Sequence, residues 1–104
     1  MIKIIIFGNI KNREPYSVWI ETLDIVTQAK IYAYVDRIAL GGGRKNLKPV
    51  GDGVFEIKID YGPGYRVYFG RSKNQMILLL GGDKSSQDKN IQKAKEFWRI
   101  YESK

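Results

Sequence analysis

The 104-residue sequence contains no cysteine and no histidine. Without thiols there is no disulfide framework, no thiolate nucleophile and no cysteine-ligated zinc or iron–sulfur centre. Without imidazole there is no Ser-His-Asp triad, no histidine-ligated metal and no histidine acid/base pair. Any catalysis falls to Lys, Arg, Tyr, Asp or Glu, and neither a metal nor a cofactor is expected. No apolar run approaches the ~20 residues that span a bilayer. The apolar start, Met1 to Phe7, is too short for a signal peptide, so a cytoplasmic protein is expected. Acidic residues are scarce as well: 11 Asp and Glu against 18 Lys and Arg leave a net charge of +7. That balance favours a polyanionic partner such as nucleic acid, an acidic protein or a membrane surface.

What remains is enough for one domain, residues 1–104, whose folding buries roughly two-thirds of the unfolded surface. Ile2 to Phe7 is β-branched and reads as a strand ending in a Gly8-Asn9 turn. Pro15 precedes a short helix, Ser17 to Leu23, with Trp19, Ile20 and Leu23 on one side. Asp24 is an N-cap for a second helix, Ile25 to Leu40, stopped at Gly41. Ile31, Val35 and Ile38 follow a core spacing there, while Thr27, Lys30, Tyr34 and Arg37 mark a wet stripe. Residues 44–73 hold seven Lys or Arg against three acids, whereas residues 1–43 hold five against four. The charge therefore concentrates in the middle of the chain, beginning with a basic loop, Arg44 to Pro49.

Val54 to Tyr61 and Tyr65 to Arg71 alternate as strands around a Gly62-Pro63-Gly64 turn, and Met76 to Leu80 is apolar throughout, as a central strand is. Ser85 and Asp88 have capping-box spacing ahead of a last helix, Ser86 to Glu102. Its inner stripe is Ile91, Ala94, the Lys95 stem, Trp98 and Tyr101, and the aromatics Trp98, Phe97 and Tyr101 read as core rather than as a stacking platform. The order is strand, two helices, three strands, helix. It predicts an α+β domain with a small, mostly antiparallel sheet and helices against one face.

A three-residue turn at Gly62-Pro63-Gly64 would place Asp60 opposite Arg66, Lys58 opposite Tyr68 and Glu56 opposite Gly70. Directly opposed Cβ atoms lie ~4.5–5.5 Å apart, so these charges would share a small area away from Phe55, Ile57, Val67 and Phe69. Arg66 offers a planar fork to a phosphate, Lys58 a mobile charge, and Tyr68 a stacking ring with a weakly acidic hydroxyl. Cations so placed would stabilise a phosphate attacked by a neighbouring 2′-hydroxyl. The same alternation also describes an ordinary solvated sheet face, with an Asp60–Arg66 salt bridge worth under ~1 kcal/mol. Arg44, Lys45, Lys48 and Arg71 are further candidate contacts to an RNA backbone. Gly41 to Gly43 and Gly81-Gly82 lack the spacing of a phosphate-binding loop.

The segments Gly62-Pro63-Gly64-Tyr65-Arg66-Val67-Tyr68-Phe69 and Leu78-Leu79-Leu80-Gly81-Gly82-Asp83-Lys84-Ser85-Ser86-Gln87, with Val54 to Ile59 before them, carry a resemblance. The chain resembles, from about Pro15 to Trp98, the addiction-module killer branch of the RelE/ParE toxin superfamily, near the HigB group. The resemblance implies a small sheet with two N-terminal helices and a C-terminal helix. It also implies a type II toxin, neutralised by a cognate antitoxin, that acts on mRNA in the ribosome without a metal. Promoter DNA would be contacted only through the antitoxin complex. Carried over residue by residue, it assigns phosphate stabilisation to Arg66, Lys58 and Lys84, while Glu56 stands where relatives often carry a second lysine. Tyr68 is the local candidate for acid/base work. Two other functions share this fold: gyrase inhibition, as in the ParE branch, and a non-cleaving RNA-, ribosome- or DNA-binding regulator. Inhibited supercoiling with intact mRNA would mark the first of these. The absence of a growth defect would mark the second.

Overall fold

Alternating apolar residues build a five-stranded sheet, and the computed structural model describes residues 2–8, 11 and 13–104 of the chain. The elements are β1 (Lys3–Ile6), α1 (Pro15–Ile20), α2 (Ile25–Ala39), β2 (Leu47–Gly51), β3 (Val54–Lys58), β4 (Arg66–Ser72), β5 (Gln75–Gly82) and α3 (Gln87–Glu102). Single 3-10 turns at Arg44–Asn46 and Lys84–Ser86 precede β2 and α3. The strand order is β1-β5-β4-β3-β2. All neighbours are antiparallel except β1, which runs parallel to β5. The architecture is thus α+β with a mostly antiparallel sheet. The expected turn at Gly8-Asn9 falls partly outside the described residues.

The helices are divided between the two faces rather than gathered on one. Tyr16 and Ile20 of α1 and Ile31 and Val35 of α2 pack with Ile57, Val67, Phe69, Met76 and Leu78 on one side. Ala94 and Trp98 of α3 pack with Phe7, Val54, Tyr68, Ile77 and Leu79 on the other. The face bearing Glu56, Arg66 and Tyr68 is therefore covered by α3, which its charged residues concealed in the sequence. Two glycines make the close approaches possible. A Cβ on Gly70 would overlap the ring of Trp98, and one on Gly81 the ring of Trp19. Gly81 and Gly82 belong to β5, which runs two residues past Leu80, where the expected strand ends.

Local chemistry explains the element ends. Asp24 caps α2, accepting from the Thr27 backbone N–H at 3.3 Å and from its hydroxyl. That ties down Thr27, which is buried and does not belong to a wet stripe. Before α3 the cap is Asp83, which accepts from the N–H and hydroxyl of Ser85, while Ser86 at the helix N-cap makes no side-chain cap. The Ser85/Asp88 capping box does not form. Pro49 interrupts what reads as a basic loop, yet Leu47–Gly51 is a strand. It lies at the sheet edge, where a missing N–H costs no ladder bond, and a bulge follows between Pro49 and Gly51.

Candidate functional site

The hairpin of β3 and β4 has a longer turn than expected. Ile59 N–H donates to the Tyr65 carbonyl at 2.8 Å, so residues 60–64 form the loop. Pairing is shifted by two positions: Lys58 lies opposite Arg66, Glu56 opposite Tyr68 and Val54 opposite Gly70. The expected Asp60–Arg66, Lys58–Tyr68 and Glu56–Gly70 pairs are absent. A shift of two preserves the faces, because side chains alternate with a period of two. Glu56, Lys58, Arg66 and Tyr68 therefore still share one side of the sheet, with different partners, while Asp60 falls in the loop.

Two cross-strand rows define the site. In the first, Glu56 sits between Lys48 of β2 and Tyr68 of β4. In the second, Arg66 sits between Lys58 of β3 and Gly82 of β5. Glu56 is buried at 2% exposure. Its Oε2 accepts the Tyr68 hydroxyl at 3.0 Å and Nε2 of Gln87, from the first turn of α3, at 2.9 Å. Its Oε1 faces two cations, Lys48 Nζ at 3.7 Å and Arg66 Nε at 3.8 Å. Arg66 is itself buried; one guanidinium nitrogen donates to the Gly64 carbonyl at 2.7 Å, and Nε has no hydrogen-bond partner. Asn46 braces the rim, donating to the Lys58 carbonyl and to Asp60 Oδ2, both at 2.8 Å.

Above this buried network lies a shallow groove of about 170 Å³, lined by Lys45, Asn46, Leu47, Lys48, Glu56, Lys58 and Arg66. Three lysines and an arginine surround one carboxylate. Lys45, Lys48 and Lys58 are exposed, whereas Arg66 supplies its charge from below. Electrostatically the groove suits a group with more than one negative oxygen, such as a phosphodiester.

The sequence-derived candidates separate on this scaffold. Lys45, Lys48, Lys58 and Arg66 are brought together. Lys84 is exposed two residues beyond Gly82 and lines a neighbouring groove with Ser85, Ser86 and Lys89. Arg44 and Arg71 line a different depression, on the α2 side of the sheet. Tyr68 is fully buried and has no ring face for stacking a base. Burial, followed by the adjacent Glu56 carboxylate, pushes its hydroxyl well above the ordinary tyrosine range, so it stays a proton-holding donor to Glu56. Gln87 and Asn46 were not legible as site residues. Both act only through contacts that α3 and the 3-10 turn make in three dimensions.

Among known proteins, the chain is 45% identical over 91 residues to an uncharacterised protein of Haemophilus influenzae, covering 83% of this chain and 88% of that protein. Residues 18–99, a span that contains every residue lining the groove, match the family described as phage-derived protein Gp49-like (DUF891). The chain belongs to this Gp49-like family, a toxin-like, phage-derived family related to addiction-module toxins.

Proposed function

We propose that the protein is the toxin of a type II toxin–antitoxin pair and that it inhibits translation by cutting mRNA on the ribosome. One observation carries the reading: a groove in which Lys45, Lys48, Lys58 and Arg66 converge around a single carboxylate. In the reaction inferred, the 2′-hydroxyl of one nucleotide attacks the adjacent phosphorus. The O2′–P bond forms as the P–O5′ bond breaks, leaving a 2′,3′-cyclic phosphate and a 5′-hydroxyl. Lys48 and Lys58 would hold the non-bridging oxygens, and the buried guanidinium of Arg66 would add positive potential where charge grows. The 2′-hydroxyl proton must go to an acceptor. Glu56 is the one proton acceptor of that kind lining the groove, and its Oε1 is not taken by Tyr68 or Gln87. The 5′-oxygen would take a proton from a groove lysine or from water.

A cognate antitoxin is the partner that this family membership suggests, and the +7 charge suits an acidic one. The test is primer extension on a reporter mRNA in a reconstituted translation reaction, with and without ribosomes, EDTA being added to the ribosome-free arm. Lys58→Ala is the variant of choice because Lys58 is exposed and its loss leaves the core intact. Breaks that need ribosomes and vanish in Lys58→Ala support the reading. Intact mRNA beside arrested growth overturns it, and inhibited supercoiling in a parallel gyrase assay would then move the protein to gyrase inhibition.

A further inference from the structure

On the other face of the sheet, where β2 to β5 meet the C-terminal end of α2, lies a second depression of about 130 Å³. Its floor is apolar, including Ile38, Leu47, Phe55 and Phe69, and its lining carries two arginines, Arg44 and Arg71, but no carboxylate. Both arginines are exposed, and among the described residues neither has an ion-pair partner. Leu40, whose chain neighbours Ala39 and Gly41 line the slot, leaves 70% of its own surface exposed. Unpaired guanidiniums over an apolar slot are an unusual use of surface in a chain that covers its sheet on both faces.

We propose that this slot is a docking site for an acidic peptide segment that inserts one apolar side chain and places carboxylates on Arg44 and Arg71. Size, charge and shape each select this occupant. The volume is far below the ~300–1,000 Å³ of small-molecule pockets and suits a single side chain. Two guanidiniums without an acid beside them match carboxylates, which arginine binds in a two-pronged geometry. Nucleic acid fits less well, because Phe69 is buried to 1% exposure and the half-buried Phe55 already has one ring face stacked on it at 5.5 Å. Leu40 provides a second apolar contact just outside the slot. The site lies across the sheet from the phosphate groove, so the proposal stands or falls independently of RNA cleavage.

The experiment is an amide NMR titration of the full chain with three probes: an amide-capped peptide of glutamates around one central leucine, the same peptide with serine at the centre, and a uridine oligonucleotide. The leucine peptide is expected to move the amides of Ile38, Gly41 and Phe69 in a saturable way. The serine peptide should bind about tenfold more weakly, the effect of losing one buried side chain. Arg44→Ser combined with Arg71→Ser should weaken the leucine peptide by about tenfold or more at low salt, with spectral dispersion retained. Leucine-peptide shifts confined to Lys45, Lys48 and Lys58, equal binding of the two peptides, or no shifts at the slot would overturn the proposal. Preferential binding of the oligonucleotide at Phe69 and Arg71 would overturn it in favour of a nucleic-acid surface.

Discussion

Replacing Glu56 by alanine tests the network beneath the groove most directly. The side chains of Glu56 and Arg66 are 2% and 8% exposed and lie 3.8 Å apart. Deleting the carboxylate leaves the guanidinium buried without a counter-charge, and breaking a buried pair in this way costs ~3–5 kcal/mol. The Tyr68 hydroxyl loses a charged acceptor at 3.0 Å, a bond of a kind worth ~1.5–3 kcal/mol. Lys48, by contrast, is 62% exposed, so its 3.7 Å contact is screened and adds under ~1 kcal/mol. These terms overlap and do not sum. The expected loss for Glu56→Ala is about 3–5 kcal/mol, a large share of the ~5–15 kcal/mol that holds a domain together. Urea unfolding followed by tryptophan fluorescence measures it, since Trp98 packs against β4 beside the network. Glu56→Leu combined with Arg66→Met should recover most of the stability by removing both charges at once. If Glu56→Ala costs no more than Lys48→Ala, the carboxylate is solvated and the account of the network is wrong.

Three further outcomes follow from the structure. Gly70→Ala should lower the melting temperature markedly, because its Cβ would overlap the Trp98 ring; overpacking of this kind costs ~1–3 kcal/mol, and an unchanged thermal melt would contradict it. Thr27 holds the Asp24 carboxyl below its ordinary value of 3.8, and Ser85 does the same for Asp83. Each folded-state value is depressed, so the stability they lend is complete above the unfolded value and is lost as pH falls through the folded one. Urea midpoints between pH 5 and about pH 2 should therefore decline less in Asp24→Asn than in the parent, and equal slopes would refute the cap. Tyr16 and Tyr68, both raised by burial above the ordinary value of 10.0, should stay un-ionised in the folded protein at pH values where they ionise in the unfolded chain. Their contribution is present below the unfolded value and is lost only as pH rises through the folded one. Phenolate absorbance followed to high pH in native and urea-unfolded protein checks this; coincident curves would show both hydroxyls to be solvated.

Glu56 changes meaning once the fold is known. In the sequence it is a reversed charge in the middle of a basic face. In the structure it is anchored by Tyr68 and Gln87 and turned so that its other oxygen faces Lys48 and Arg66. An acid held in this way draws cations together that would otherwise repel one another. The cost of burying it is offset chiefly by Arg66, Tyr68 and Gln87, with the exposed Lys48 adding little.

Much of the architecture was readable along the chain because its cause is local. The strict alternation of Val54 to Lys58 and Arg66 to Arg71 decides which residues share a face, and a two-residue error in register leaves that unchanged. Asp24 and Gly41 delimit α2 through backbone chemistry confined to neighbouring residues. The absence of thiol and imidazole excluded whole classes of chemistry without any coordinates. Other features depend on contacts between distant segments. The loop from residue 60 to residue 64 sets the pairing of Lys58 with Arg66, and composition alone did not reveal its length. The stripe of Ala94 and Trp98 states that α3 covers something, but not which face of the sheet. The choice fell on the face holding Gly70, the position flat enough to receive an indole ring. That choice buried Glu56, Arg66 and Tyr68. It turned a row that looked solvated into a buried network and left Lys45, Lys48 and Lys58 as its exposed cationic rim. Arg44 and Lys45 are adjacent in sequence, yet they serve opposite faces because the chain turns over the sheet edge between them.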